Sequence, residues 1–203
     1  IKLAIRCGLR TIEHGCFIDS EGIAMLKDRD DCFLVPTGTV SIACIDEDMN
    51  TLVAGASEKS HIYEEREKAC VNAAYRAGLK MGFGSDADYA NFKRKPGLEF
   101  IARTARYVSC VMLLLGAASE AVAGIQKAFV NHTYLKRYFS YLDILLQATK
   151  NSAEIAGLAD RKGTIKVGKA SELVVVEGNP DEDIYVMQKR PRYVFFRGEV
   201  IEN

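Results

Sequence analysis

The sequence has no net charge and no long uncharged hydrophobic run. Its 203 residues include 27 Lys and Arg and 27 Asp and Glu, so charge gives no reason to expect a nucleic acid or a membrane surface as a partner. The longest apolar stretch, residues 108–125, contains two serines and a glutamate, whereas a membrane span needs about 20 mostly apolar residues. We therefore predict a buried helix there.

Other familiar motifs are missing as well. The six cysteines form no Cys-x-x-Cys pair, which argues against a zinc ribbon or a disulfide framework and favours reduced thiols in the cytoplasm. Neither Gly-x-Gly-x-x-Gly nor Gly-x-x-x-x-Gly-Lys-Ser/Thr occurs, so a nucleotide-binding α/β domain is not expected. The sequence begins inside an apparent amphipathic helix, without Met or a signal peptide, which predicts that it is the C-terminal portion of a longer protein.

Apolar runs and breakers along the first half alternate between strand and helix. Such alternation is typical of βα units around a parallel sheet. Each predicted strand ends with a polar residue, and in a (β/α) barrel that edge carries the chemistry. The end residues are His14, Thr37 and Asp86. The predicted elements are a helix over 1–7 closed by Gly8, a strand over 10–15, a helix from Asp19 or Ser20 through Lys27, a strand over 32–37 stopped by Pro36, a helix from Ser57 to Ala77, and a strand over 79–86.

The second half changes character twice. The chain is predicted to be helical from Pro96 to about Gly157. Beyond it, short apolar runs separated by turn residues predict a small antiparallel β unit, with a tight turn at Arg197–Gly198–Glu199. For the earlier helix over 57–77, the apolar positions predict which face is buried. They are Ile62, Ala69, Val71, Ala73 and Ala74.

Two strand-end residues suit a metal ion. A lone His or Asp at such a position is more often structural, but His14 and Asp86 occupy equivalent places after two predicted strands. A neutral imidazole and a carboxylate both bind a divalent metal such as zinc. Water on such a metal loses a proton near neutral pH, and a nearby carboxylate can accept it. Of the other two histidines, His61 is predicted on a solvent-facing helix, and His132 belongs to no recognisable motif.

Several segments together resemble the amidohydrolase superfamily. The nearest group contains imidazolonepropionase-like enzymes, Xaa-Pro dipeptidases and ochratoxin-type amidases. The resemblance implies an α/β fold in which residues 1–157 form the last three strands of a (β/α)8 TIM-type barrel. It also implies that residues 158–203 form part of a small β-sandwich. The segments are Thr11-Ile12-Glu13-His14-Gly15, Val35-Pro36-Thr37, Gly84-Ser85-Asp86-Ala87, Ala148 to Glu154, and Leu173 to Pro180.

The resemblance also implies roles for two residues. His14 is similar to the sixth-strand metal ligand, and Asp86 to the eighth-strand ligand that is also the general base. The expected cofactor is one or two divalent metal ions, with zinc as the expected element. The family's His-x-His pair, carboxylated lysine and fifth-strand histidine have no counterpart here, so the remaining ligands are expected upstream. Residues 108–137 depart from the family pattern, either as an artefact of the gene model or as a genuine extra helix.

Two hypotheses about function follow. In the first, the full-length protein is a metal-dependent hydrolase that uses an activated water to cleave the C–N bond of an amide, a dipeptide or a cyclic amide. Its partner is then a small-molecule amide or peptide substrate, with no nucleic acid and no membrane, and assembly as a homo-oligomer is left open. In the second, the chain is a catalytically inactive fragment that acts as a structural or interaction module.

Overall fold

The fold was analysed in a computed structural model that describes residues 1–40, 56–86, 97, 99–100, 103 and 139–201. The predicted insertion at 108–137 and His132 lie outside these residues. For His61 only the backbone is described. The described part is a mixed α/β structure, as predicted.

Three parallel segments form the centre of the first half. Strand β1 (Thr11–Glu13) pairs in parallel with β2 (Phe33–Val35), and Leu34 of β2 forms a parallel bridge with Met81. The predicted strand over 79–86 is therefore present as a single bridge rather than as a full strand. Its two glycines account for this, because glycine weakens a strand and lets another backbone come close.

Two short helices flank β1. Helix α1 (Lys2–Arg6) precedes it, and helix α2 (Ser20–Lys27) follows it. Of the two predicted starting residues, Asp19 and Ser20, it is Asp19 that forms the N-cap of α2, because its carboxylate accepts a hydrogen bond of 2.8 Å from the backbone N–H of Gly22. The other oxygen of the same carboxylate lies 2.6 Å from the Lys2 ammonium and ties α1 to the start of α2.

Helix α3 (Ala56–Arg76) follows β2 and buries only part of the predicted face. Val71 and Ala74 are buried as predicted. The prediction was wrong for Ile62, Ala69 and Ala73, which are exposed. The helix instead turns charged residues inward, and a hydrophobic pattern cannot reveal such a face.

A second helical region packs beneath the parallel segments. It comprises α4 (Tyr141–Leu146), a π-helix (Gln147–Asn151) and α5 (Ser152–Ile155). The Asn151 amide donates a 2.9 Å hydrogen bond to the carbonyl of Met81. Arg10, just before β1, donates to the carbonyls of Glu154 and Ile155 at the end of α5. These bonds join the beginning of the chain to its helical region.

The tail contains the predicted antiparallel strands. They are β3 (Leu173–Val175), β4 (Tyr193–Phe196) and β5 (Glu199–Ile201), paired in the order β3-β4-β5. The turn between β4 and β5 has positive φ at both Arg197 and Gly198, as a tight two-residue hairpin turn requires. Among the residues the structure describes, no helix is long and apolar enough to cross a membrane.

Candidate active site

The predicted site residues lie at one edge of the parallel segments. His14 follows β1 directly, and its backbone N–H donates a 3.0 Å hydrogen bond to the carbonyl of Val35, the last residue of β2. Thr37 lies two residues beyond Val35. The segment that leads to Asp86 runs alongside, since the carbonyl of Ser85 accepts a 3.1 Å hydrogen bond from the N–H of Val40. The fold therefore brings the ends of these three segments to the same side of the sheet.

His14 is in direct contact with Thr37. Its Nδ1 atom lies 2.6 Å from the Thr37 hydroxyl oxygen, and Thr37 is buried with 3% of its surface exposed, while His14 is exposed. Which atom donates depends on the imidazole tautomer. A metal-binding histidine usually donates its second ring N–H to a fixed acceptor. The contact therefore leaves Nε2 as the ring nitrogen that can face a ligand.

Both predicted metal ligands have an unusual backbone conformation. His14 has a φ of 62° and Asp86 a φ of 47°, which is the left-handed region that residues other than glycine rarely adopt. Among the described residues the only other non-glycine case is Arg197, in the hairpin turn of the tail. Backbone strain of this kind concentrates at functional sites, where the surrounding structure holds it in place.

Two buried carboxylates lie behind this edge, and the sequence analysis missed both. The chain after β2 begins a helical turn at Gly38, and three successive backbone N–H groups there point at them. Thr37 donates to Glu67 at 3.1 Å, and Gly38 and Thr39 donate to the two oxygens of Glu99 at 3.2 and 2.7 Å. The two glutamates are 1% and 3% exposed. The first N–H groups of a helix have no partner within it and readily bind an anion, and here the protein's own carboxylates take that position.

Arg103 completes the buried cluster. Its guanidinium donates to Glu99 at 2.7 Å and to the carbonyl of Pro36 at 2.7 Å. It also donates to the carbonyl of Gly82 at 3.3 Å and to the Gln147 side chain at 3.2 Å. The arginine is fully buried. The one signal in the sequence is the four-residue spacing between Glu99 and Arg103, which suits an ion pair on a helix face.

The thiols near the edge are poor nucleophile candidates. Cys70 of α3 donates a hydrogen bond to the carbonyl of Cys16, two residues after His14. Burial raises the pKa of the Cys70 thiol, and it also raises the pKa of Cys32 next to β2. A raised pKa keeps a thiol protonated, whereas the thiolate is the reactive form. Burial therefore favours the unreactive thiol form of both Cys70 and Cys32.

The donor set is short of a complete metal site. Within the described ranges, no group of three or more His, Cys, Asp and Glu side chains is placed to hold a metal ion. Catalytic zinc sites usually have three protein ligands. His14 and Asp86 are suitable in type and share an edge, but the described residues place no third donor with them.

Comparison with known proteins identifies the family to which the chain belongs. Residues 3–201 match the model of the Amidohydrolase family. The chain belongs to that family. The match runs through His14, Asp86 and the antiparallel tail, and it confirms the resemblance drawn from the sequence motifs. No curated protein sequence matches this amidohydrolase chain.

Solved structures of prolidase-type amidohydrolases are similar to it. One titled as an amidohydrolase is 26% identical, with a TM-score of 0.74, and the match covers 98% of this chain and 41% of that one. A prolidase complexed with N-methylphosphonate-L-proline is 26% identical, with a TM-score of 0.73 and the same coverage. A Xaa-Pro dipeptidase with bound methionine is 24% identical, with a TM-score of 0.69, covering 100% of this chain and 42% of that one. This amidohydrolase chain thus spans about two fifths of the length of these structures.

Proposed function

We propose that the chain supplies two metal ligands, His14 and Asp86, to a hydrolase that cleaves a C–N bond. The observation that carries the proposal is their shared edge, where both residues are held in left-handed backbone conformations. His14 binds through Nε2 while Nδ1 stays on the Thr37 hydroxyl. Asp86 accepts the proton of the attacking water and passes it to the leaving nitrogen, as a carboxylate at this position can.

The residues fit a divalent metal ion as part of a larger donor set. An imidazole and a carboxylate at one sheet edge are suitable ligands for zinc. A bound zinc ion supplies a water of lowered pKa and polarises the scissile carbonyl. The chain's own contribution is to orient the imidazole through Thr37 and to place an exposed carboxylate at the neighbouring strand end. The missing ligands come from residues upstream.

The structural relatives support a proposal for the substrate class. The 26% identical prolidase was solved with a phosphonate derivative of proline, and another relative is titled a Xaa-Pro dipeptidase. We therefore place dipeptides with a C-terminal proline first among the substrates. Other amides, N-acyl amino acids and cyclic amides form the wider class that shares the same chemistry. The proposed setting is the cytoplasm.

The same proposal assigns a role to each half of the chain. Residues 1–157 supply the last three strands of a (β/α)8 barrel, and residues 158–203 supply part of a β-sandwich. Residues 108–137 are an insertion relative to the family pattern. Deleting residues 108–137 tests the last point. The deletion leaves the thermal midpoint of unfolding unchanged if the insertion is dispensable, and it lowers the midpoint if the insertion is a helix that packs on the rest of the protein.

Metal binding to the isolated chain tests the ligand assignment. Chain purified without chelators is assayed for metal by elemental analysis and then titrated with zinc, while NMR follows the His14 imidazole resonances. We expect zinc to shift them, and we expect Asp86→Asn to weaken that binding by at least tenfold. The control is Glu13→Gln, an exposed carboxylate next to His14. Zinc that binds without affecting His14, or equally well to the Asp86 variant, refutes the assignment.

The alternative, an inactive structural module, is favoured by the lack of a three-ligand cluster in the described part of the chain. It predicts no bound metal and no response of His14 to zinc. About two divalent ions per chain, as in two-metal sites, would instead show that another component supplies the missing ligands. Xaa-Pro dipeptides are then the first substrates to assay.

A further inference from the structure

An unbroken series of contacts leads from the π-helix to the candidate metal ligand. Gln147 of the π-helix accepts a hydrogen bond from Arg103, and Arg103 donates to Glu99. Glu99 holds the backbone of Gly38 and Thr39. The neighbouring residue Thr37 then contacts the imidazole of His14. All members of the series except His14 are buried.

The buried charged residues form hydrogen bonds with backbone groups that apolar side chains could not form. The N–H groups of the helical turn after β2 are the first of a helix, so they need acceptors outside it. Glu99 accepts two of them and also the Thr39 hydroxyl, at 2.9 Å. A buried carboxylate is costly unless it is paired and hydrogen-bonded, and the Arg103 guanidinium provides that pairing. The cluster therefore fixes the turn in one conformation.

Arg103 also links the two segments that carry the proposed ligands. Its guanidinium bonds the carbonyl of Pro36, next to Thr37, and the carbonyl of Gly82, four residues before Asp86. A planar guanidinium presents its donors in a rigid fork. One side chain thus sets the spacing between the turn that contacts His14 and the segment that ends at Asp86.

We infer that Glu99 and Arg103 are positioning residues for His14, which they orient through the 36–39 turn and the Thr37 hydroxyl. The inference rests on the proposed function in that His14 is taken as a metal ligand. Both residues are buried, so we assign them a positioning role and not the role of a ligand. Their effect is to keep the imidazole in the orientation that binding requires, as outer partners do in characterised metal sites.

The test measures the orientation of His14 without metal. The chain contains three histidines, so the ¹⁵N resonances of the His14 ring can be assigned with a His14→Asn variant. We expect Thr37→Val to change the Nδ1 shift and Thr37→Ser to restore it. We expect Glu99→Gln to move the shift in the same direction as Thr37→Val, and to weaken zinc binding by about 10- to 100-fold, the usual effect of losing an outer partner.

Two further variants keep the test decisive. Glu154→Gln removes a partly exposed carboxylate on α5 that pairs with Lys80, and it should leave the Nδ1 shift unchanged. If Glu99→Gln does not fold, Thr39→Val removes only one hydroxyl bond to Glu99 and is judged by the same shift. An unchanged Nδ1 shift in a folded Glu99 or Thr39 variant overturns the inference.

The two proposals can fail separately. If zinc does not perturb His14 in the unaltered chain, the ligand assignment is wrong. The metal-free Nδ1 shifts still decide whether Glu99, the partner of Arg103, orients His14, because that measurement requires no metal. If Glu99→Gln changed the zinc affinity but not the Nδ1 shift of His14, Glu99 would act through a ligand other than His14. That result would also overturn the inference.

Discussion

Gly15, immediately after His14, offers a sharp test of the packing beneath the candidate site. Its φ is 75°, and a Cβ atom placed there would lie 2.6 Å from Cδ1 of Leu34. Leu34 is fully buried in the core. Gly78, just after α3, has the same φ of 75°, but a Cβ atom placed on it would meet no atom within 4 Å beyond its neighbours in the chain. Comparing substitutions at Gly15 and Gly78 therefore distinguishes the cost of backbone strain, which both share, from the cost of steric overlap, which only Gly15 has.

The two alanine variants should therefore differ in stability. A left-handed conformation costs a residue with a side chain about 1–2 kcal/mol, so Gly78→Ala should lower the free energy of unfolding by roughly that amount. Gly15→Ala carries the same backbone cost and also overpacks the core, which typically costs about 1–3 kcal/mol. We expect Gly15→Ala to be the more destabilising by about 1–3 kcal/mol, the overpacking contribution alone.

Urea denaturation followed by far-UV circular dichroism measures the difference, since the chain has no tryptophan to report by fluorescence. The midpoint should fall further for Gly15→Ala at an unchanged m-value. Shortening the opposing side chain should reduce the gap, so Gly15→Ala should cost less in a Leu34→Val background. Equal midpoints for the two alanine variants would refute the argument that Leu34 packs against Gly15.

Two further predictions concern ionisable groups. The hydrogen bond between Lys2 and Asp19 holds the pKa of the Asp19 carboxyl below its usual value. The carboxylate therefore stabilises the fold fully above the pKa of the unfolded state, about 3.9. This stabilisation is lost as the pH falls through the lower pKa of the folded state. Asp19→Asn, which keeps an N-cap residue, should be less stable than the parent at pH 7, and thermal melts should show the gap closing in strong acid. The thiol of Cys7 is exposed and that of Cys32 is buried with a raised pKa, so peptide mapping after brief alkylation should find Cys7 modified first; equal labelling would contradict the burial of Cys32.

Local features of the fold were predictable from the sequence. The Asp19 cap and the end of α3 near Gly78 depend on residues within a few positions of each other, and the tight turn at Arg197 and Gly198 likewise carries its own signal. The motif around His14 was also recognisable, because a strand that ends in a histidine and a glycine is a local pattern.

Features that depend on distant partners were not predictable. Glu67 faces inward because it accepts a hydrogen bond from the backbone of Thr37, thirty residues away. Arg103 bonds Pro36 and Gln147, which are 67 and 44 residues away. A charged residue in a helical pattern normally indicates the solvent side. Only the folded arrangement of strand ends reveals that these charges belong inside.

The bonds from Arg10 to the end of α5 have a consequence for synthesis on the ribosome. Arg10 and its carbonyl acceptor at Ile155 are 145 residues apart in the chain. At a translation rate of roughly 5–20 residues per second, that acceptor is made about 7–29 seconds after the arginine. During this interval the nascent chain already contains β1 and His14 but lacks the helix end that anchors them. Chaperones that bind nascent chains should therefore recognise the first 150 residues more strongly than the 203-residue chain.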